Sequence, residues 1–170
     1  SNVTVVTGII FALRRRGKHL LIDLREDTSR PTHLSTIMVH FRMTGKLLYK
    51  DHFEDVAKHT HVRFYLSDKL QEKCWLDFND VRRFGKVWLL PPGGESLDPG
   101  FAGLGPEPLS AEWTATDFLA QIKHHPRSTV KSLLLNQEVV AGIGNIYCDE
   151  ALFRAGIHPA RQNETLSEEE

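Results

Sequence analysis

The chain has 170 residues, of which 41% are hydrophobic and 25% charged, and its formal net charge is −1 at pH 7. This length suits one large domain or two small ones, and the composition predicts a globular protein rather than a disordered one. The apolar runs are too short to span a bilayer, so we expect no membrane partner, and the first residues do not resemble a signal peptide. Because the net charge is near zero, any affinity for nucleic acid must come from local basic clusters such as residues 14–18 and Arg82-Arg83.

The first half of the chain has the short apolar or alternating segments that are typical of β-strands. The segments are separated by short polar turns without intervening helices, which favours an antiparallel β-sandwich. The predicted strands are residues 3–13, 19–24, 36–41, 62–66, 73–77 and 86–90. Cys74 and Cys148 are isolated in the sequence, so neither a disulfide framework nor a Cys-x-x-Cys zinc pair is predicted.

The second half has helical periodicity, after a segment rich in proline and glycine at 91–108 that indicates a linker or packed loop. Thr116 is the predicted cap of a helix over 117–124, and Ser128 the cap of a second helix that ends at Leu135. A third helix is predicted over 145–155, stopped by Gly156. We therefore expect an α+β protein, with a β-sandwich domain at 1–105 and a helical domain at 106–170.

The most informative segment is residues 139–147, where two glycines precede Asn145 at the predicted start of the third helix. Free backbone N–H groups and the positive end of the helix dipole can bind a phosphate there. Two glycines at this spacing are a weak signal alone, because most such turns only satisfy backbone geometry.

The longer segment 139–161 resembles the helix–two-turn–helix element of the formamidopyrimidine-DNA glycosylase and endonuclease VIII family. Four further blocks resemble the same family in the same order: residues 14–21, residues 40–47, residues 58–62 with 80–85, and residues 104–109. Each block could arise by chance, but their ordered occurrence over nearly the whole chain is specific.

The resemblance implies that Met43, Arg82 and Phe84 fill the space left in duplex DNA when a damaged nucleotide is flipped out. A thioether, a guanidinium and an aromatic ring can each insert between bases or stack on them. Taken alone, Met43 would more often fill a core and Arg82 would more often be solvated. His59 matches a family position at the DNA interface, although such a histidine would usually be an exposed loop residue.

Lys18 and Glu150 are the catalytic candidates that the resemblance implies. Lys18 corresponds to a lysine assigned proton donation in β-elimination, and the arginines before it are expected to lower its pKa. The alternative is a basic turn that contacts phosphates. Glu150 corresponds to a glutamate beside the catalytic amine, and a carboxylate on an apolar helix should be paired or functional if it is buried. A solvated carboxylate on a helix face is the alternative.

Phosphate contacts are predicted for Asn145 and Lys131, with a weaker prediction for Arg127. Such contacts position a duplex without reading its sequence. Asn145 could equally be a plain helix cap, and the two roles can coexist at one helix end.

The chain departs from the family at several positions. The family nucleophile is an N-terminal proline followed by glutamate, whereas this sequence begins Ser1-Asn2-Val3. The four zinc ligands of the family's C-terminal finger are also missing, so no metal site or cofactor is expected within this chain. We expect the chain alone to form no borohydride-trappable adduct with abasic DNA. Arg42 stands where the family usually has glycine, and Val81 where proline is common.

The sequence thus predicts the central portion of a DNA glycosylase and abasic-site lyase that removes oxidised bases and cleaves the strand by β,δ-elimination. Its expected partner is double-stranded DNA with a damaged base or an abasic site. The resemblance further implies a monomer located in the cytoplasm and nucleoid or in a nucleus. The alternatives are a noncatalytic damaged-DNA-binding module and an RNA-binding protein, but the latter does not explain Met43 or Arg82. Lesion preference is left open.

Overall fold

The computed structural model describes residues 7–26, 33–67, 72–167 and 170. The chain divides into two compact units, one formed by residues 1–14 and 19–92 and the other by residues 15–18 and 93–170. Residues 3–6 of the first predicted strand lie outside the described residues. The predicted boundary after residue 105 stays a prediction, and the segment 93–105 groups with the second unit.

The first unit contains two antiparallel sheets, as the alternating segments predicted. A four-stranded sheet has the order β1-β2-β3-β7, and a three-stranded sheet has the order β4-β6-β5. The strands are β1 Ile9–Arg16, β2 His19–Arg25, β3 His33–His40, β4 Lys46–Lys50, β5 Thr60–Ser67, β6 Lys73–Asn79 and β7 Lys86–Leu90. Buried apolar residues of the first unit include Leu21, Met38, Val39 and Phe78. The predicted β-sandwich is confirmed.

Two strands, β1 and β4, differ most from the sequence prediction, because cross-strand contacts decide where they form. β4 was missed because its short apolar stretch begins and ends with lysine, and in the structure this strand leaves Tyr49 63% exposed. β1 continues beyond the predicted end through three arginines. Arg14 can stay in the strand because its guanidinium donates two hydrogen bonds, of 2.5 and 2.8 Å, to Asp23 on β2.

The second unit is helical after the short elements that follow Pro92. A 3₁₀ turn at Gly94–Leu97 and the one-turn helix α1 at Pro99–Ala102 occupy the segment that was predicted as a loop. The longer helices are α2 Ala115–Ile122, α3 Val130–Leu135 and α4 Asn145–Ala155. α4 has the predicted bounds, and Gly156 ends it with a left-handed φ of 69°.

Both predicted helix caps were wrong. Thr114, not Thr116, caps α2, because Thr114 and Asp117 form a reciprocal capping box. Thr129, not Ser128, caps α3, and its side chain accepts from the Ser132 N–H. Each error chose the wrong hydroxyl residue among close neighbours. Among the residues that the structure describes, no helix is both long enough and apolar enough to cross a bilayer.

Two small clusters form the core of the second unit. One contains buried Val130, Cys148, Leu152 and Ile157, and thus joins α3 to α4. The other contains Ile122, Leu133 and Val139, and joins α2 to α3 and to the loop that precedes α4. Apolar packing therefore holds α4 against α3, and holds the loop before α4 against α2 and α3.

Candidate nucleic-acid interface

In the first unit, Arg82 contacts both of the other predicted wedge residues, although the three come from two separate loops. The Arg82 guanidinium donates a 3.0 Å hydrogen bond from Nη1 to Sδ of Met43, 39 residues away in sequence. The same guanidinium lies 4.9 Å from the ring centroid of Phe84. Met43 is 74% and Phe84 54% exposed, so this wedge cluster of Met43, Arg82 and Phe84 presents a thioether, a cation and a ring to solvent.

Asp80 joins the two loops that carry the wedge cluster. Its carboxylate accepts hydrogen bonds from the Thr44 hydroxyl, from the Gly85 N–H at 2.7 Å and from the Arg82 N–H at 3.2 Å. The Thr44 hydroxyl, more than any other group, holds the pKa of Asp80 below its ordinary value. Asp80 is only 1% exposed. It therefore acts as a buried anchor that fixes Met43-Thr44 relative to residues 82–85.

Three non-glycine residues among those described have a positive φ, and all three lie in the loops around the wedge cluster. Their φ values are 53° for Arg42, 72° for His59 and 59° for Arg83. Asp80 also fixes the third loop, because its backbone N–H donates a 2.9 Å hydrogen bond to the His59 carbonyl. Such backbone conformations are unfavourable for residues with a Cβ and concentrate at functional sites.

In the second unit, Lys18 reaches the start of α4. Its Nζ donates a 2.8 Å hydrogen bond to the Ile143 carbonyl, 125 residues later in the chain. Gly144 precedes α4 without providing a side-chain cap, and Asn145 is the exposed first residue of the helix. An ammonium group and the N–H end of a helix of 11 residues therefore lie together, which suits an anionic ligand.

Glu107 holds the turn that carries Lys18. Its carboxylate accepts from the Gly17 N–H at 2.6 Å, from Nη1 of Arg15 at 2.7 Å and from Nη1 of Arg16 at 3.1 Å. Burial raises the pKa of Glu107, but these three donors outweigh burial and leave the pKa below its usual value. Gly17 has a φ of 54°, which glycine adopts without strain. Glu107 thus determines the conformation of the turn.

These pairings change the electrostatic argument made for Lys18. Glu107 offsets one of the two positive charges of Arg15 and Arg16, and Asp23 offsets that of Arg14. The repulsion that the preceding arginines exert on Lys18 is therefore reduced by these carboxylates rather than absent. The Lys18 ammonium itself donates a hydrogen bond to the Ile143 carbonyl.

Gln137 fixes the glycine turn before α4 with both ends of its amide. Nε2 donates to the carbonyls of Leu135 at 3.0 Å and Ile143 at 2.9 Å, and Oε1 accepts from the Gly142 N–H at 2.9 Å. The Ile143 carbonyl therefore binds Gln137 and Lys18 together. Sequence reasoning assigned no role to Asp80, Glu107 or Gln137. The first two fell within family blocks, but only the fold shows what they contact.

The remaining predicted residues have different surroundings. Lys131 is half-buried and forms a 2.6 Å ion pair with Asp149, whose hydrogen bond raises the pKa of Lys131. Arg127 is exposed in the loop before α3. Glu150 is also exposed, so the argument that depended on its burial does not apply to it. It lies on a face of α4 with Ile146 and Phe153, whose side chains are 78% and 84% exposed.

Two family models match the chain in sequence order. One, described as the formamidopyrimidine-DNA glycosylase N-terminal domain, matches residues 4–87. The other, described as the formamidopyrimidine-DNA glycosylase H2TH domain, matches residues 104–170. The chain belongs to the formamidopyrimidine-DNA glycosylase family. This confirms the family predicted from the ordered sequence blocks.

Curated members of the formamidopyrimidine-DNA glycosylase family are similar over most of this chain. The protein from Listeria innocua is 43% identical over 161 residues, which are 95% of this chain and 54% of the relative. The protein from Nostoc punctiforme is 46% identical over 147 residues, which are 85% of this chain and 47% of the relative. The chain thus spans about half the length of the curated relatives that it matches.

Solved structures of family members share the fold. The Lactococcus lactis protein, in complex with DNA that contains an abasic site, has a TM-score of 0.79 at 30% identity, and the match covers 95% of this chain and 55% of that one. The MutM (Fpg) protein of Thermus thermophilus has a TM-score of 0.76 at 36% identity, with 94% and 53% covered. The predicted order of a β-sandwich and a helix–two-turn–helix domain is confirmed.

Proposed function

We propose that this chain supplies the DNA-gripping part of a bifunctional DNA glycosylase and abasic-site lyase that removes oxidised bases. Its partner is double-stranded DNA with a damaged base or an abasic site, and the complete protein acts as a monomer on intracellular DNA. The observation that carries the proposal is the wedge cluster, in which residues 39 positions apart meet at an exposed surface.

The wedge cluster has the chemistry needed to occupy a vacated base stack. Flipping a nucleotide out of a duplex costs a few kcal/mol, and groups inserted in its place offset part of that cost. Met43 offers an unbranched apolar chain, Phe84 a stacking ring and Arg82 a guanidinium that can bind phosphate or a base edge. Because Asp80 fixes both loops, little ordering is required when DNA binds.

The start of α4 supports a phosphate-binding role for Asn145 and Lys18. The helix N-terminus has free N–H groups, Asn145 adds an exposed amide, and the Lys18 ammonium lies at the Ile143 carbonyl just before it. In the complete protein, Lys18 can exchange the Ile143 carbonyl for a group of the lesion nucleotide and donate a proton during elimination. His59 and Arg127 are proposed as additional contacts to the sugar-phosphate backbone, and Lys131 as one that must first leave Asp149.

Two further assignments extend to the complete protein. Glu150 organises the active site of the complete protein. The exposed apolar side chains of Ile146 and Phe153 beside it support the proposal that another part of that protein covers this face of α4. A zinc finger is proposed by family membership. The described residues of this chain do not fit a zinc site, because they contain no group of three or more His, Cys, Asp or Glu that could hold a metal ion.

The proposal is tested by measuring the affinity of the chain for two duplexes, one intact and one with a stable tetrahydrofuran abasic analogue. Met43→Ala and Arg82→Ala are expected to weaken binding to the abasic duplex by about tenfold and to reduce its advantage over intact DNA. Asn145→Ala is expected to weaken binding to both duplexes equally, since phosphate contacts carry no lesion information.

Lys73→Gln is the matched control, because Lys73 is exposed at the opposite end of β6 from Asp80 and its loss changes the net charge by the same amount as Arg82→Ala. Equal affinities for the two duplexes in the unmodified chain would contradict recognition of the lesion. If the complete protein is instead a noncatalytic damaged-DNA-binding module, this chain would show the same binding pattern. The complete protein would then bind the abasic strand without cleaving it.

A further inference from the structure

Arg42 occupies a backbone conformation that its residue type does not favour. Its φ is 53°, in the turn between β3 and β4. The Gly45 N–H closes that turn with a 2.9 Å bond to the Phe41 carbonyl, and the Arg42 N–H donates to Nδ1 of His40 at 3.0 Å. Glycine, asparagine and aspartate adopt this conformation most readily, and arginine has no such advantage.

The side chain of Arg42 does not compensate for this strain within the protein. It is exposed, and its guanidinium has no hydrogen-bond or ion-pair partner among the described residues. By contrast, Arg63 of the same unit is bound bidentately to Asp77 at 2.6 and 2.7 Å. Glycine at position 42 would therefore make the folded chain more stable. The benefit of arginine must come from a partner outside the chain.

The surroundings of Arg42 indicate the charge of that partner. Arg42 directly precedes Met43 of the wedge cluster, and the other two described non-glycine residues with positive φ, His59 and Arg83, are also basic. Asp80 connects all three loops through Thr44, through the His59 carbonyl and through the N–H groups of the 82–85 turn. Basic side chains in strained positions on three connected loops therefore suit a polyanionic partner that binds beside the wedge cluster.

We propose that Arg42 binds a phosphate of the DNA backbone next to the lesion-filling wedge, as a contact that the side chain makes only in the complex. This inference rests on the proposed function and adds a residue to it. A guanidinium binds phosphate in a bidentate manner, so Arg42 contributes affinity and register without discriminating between bases or between lesions.

The experiment compares Arg42→Gly, Arg42→Asn and Arg42→Lys with the charge control Lys73→Gln. Each variant of the chain is measured for its melting temperature and for its affinity to the abasic duplex from about 50 to 200 mM salt. Arg42→Gly and Arg42→Asn are expected to bind about threefold to tenfold more weakly and to lower the slope of log K against log salt by about 0.9. Arg42→Lys keeps most of the slope.

The expected change in melting temperature is opposite in direction to the change in DNA affinity. Arg42→Gly relieves the strained backbone, so its melting temperature rises by roughly 2 °C, although the added freedom of glycine in the unfolded chain reduces the gain. Stability and DNA affinity thus change in opposite directions, which a purely structural role for Arg42 would not produce.

A lower melting temperature in Arg42→Gly and Arg42→Asn would overturn the inference, because Arg42 would then stabilise the fold. The same holds if their salt slopes equal that of Lys73→Gln while Met43→Ala still weakens binding, since the wedge would then act without Arg42. If the chain binds no duplex at any salt concentration, the proposed function and this inference both fail.

Discussion

Replacing Glu107 by glutamine tests whether one carboxylate fixes the turn that carries Lys18. The glutamate accepts one backbone and two guanidinium hydrogen bonds, and its side chain is 21% exposed. Glutamine has nearly the same shape but no charge, so each of the three bonds loses about 1 kcal/mol, the difference between charged and neutral bonds. Allowing for partial solvent access, we expect a loss of about 2 kcal/mol in the free energy of unfolding of the second unit.

The pH dependence of this loss follows from the direction of the pKa shift. The donors to Glu107 hold its pKa in the folded chain below the ordinary value of about 4.3. The charge therefore stabilises the fold above that value, and the stabilisation is lost as the pH falls through the pKa of the folded state. The difference between the wild type and Glu107→Gln is thus expected at pH 7 and is expected to shrink at about pH 3.

Differential scanning calorimetry of both proteins at the two pH values measures the effect. For a unit of about 80 residues, a loss of about 2 kcal/mol corresponds to a decrease of about 8–16 °C in the melting temperature. Glu112→Gln is the matched control, because Glu112 is exposed in the same unit. A melting temperature unchanged at pH 7, or lowered equally at pH 7 and pH 3, would refute the reasoning.

Two other ion pairs give predictions of opposite kinds. Asp77→Ala is expected to destabilise the chain by about 3–5 kcal/mol in urea unfolding, because it leaves Arg63 unpaired in a buried site. Asp55→Ala, on an exposed loop, is the control and should have little effect. A loss of stability in Asp77→Ala no larger than that in the control would contradict this prediction. Asp149→Asn frees the Lys131 ammonium from its 2.6 Å partner and is expected to tighten binding to duplex DNA about twofold to fivefold, while Lys131→Gln weakens it. Unchanged affinity in both variants, measured by fluorescence anisotropy, would remove Lys131 from the interface.

The sequence predicted the first unit well because its information is local. The apolar runs along β2 and β6 indicate strands that are buried over most of their length, and the bounds of α4 follow from Asn145 and Gly156. The helix caps were harder, because Ser128 and Thr129 are adjacent and either hydroxyl can cap a helix. At α2 the deciding signal was present: Thr114 and Asp117 have the three-residue spacing of a capping box.

The contacts of the candidate site depend on tertiary structure, which local patterns do not contain. Glu107 meets Arg15 across 92 residues, and Lys18 meets Ile143 across 125. No periodicity links such positions, so the sequence did not predict that Glu107 pairs with the two arginines. The sequence also left open whether Glu150 is buried or solvated, because apolar residues beside it can line a buried helix face, whereas Ile146 and Phe153 are themselves exposed.

The turn at residues 15–18 belongs to the second unit although the strands on either side of it pair in the first. A fragment beginning at residue 93 would therefore contain Glu107 without its three donors and would lack Lys18 altogether. The same connection affects synthesis on the ribosome. The turn is synthesised about 90 residues before Glu107. At a translation rate of about 5–20 residues per second, Glu107 follows roughly 5–20 seconds later. During that interval the hairpin of β1 and β2 must form without the carboxylate that later fixes its tip.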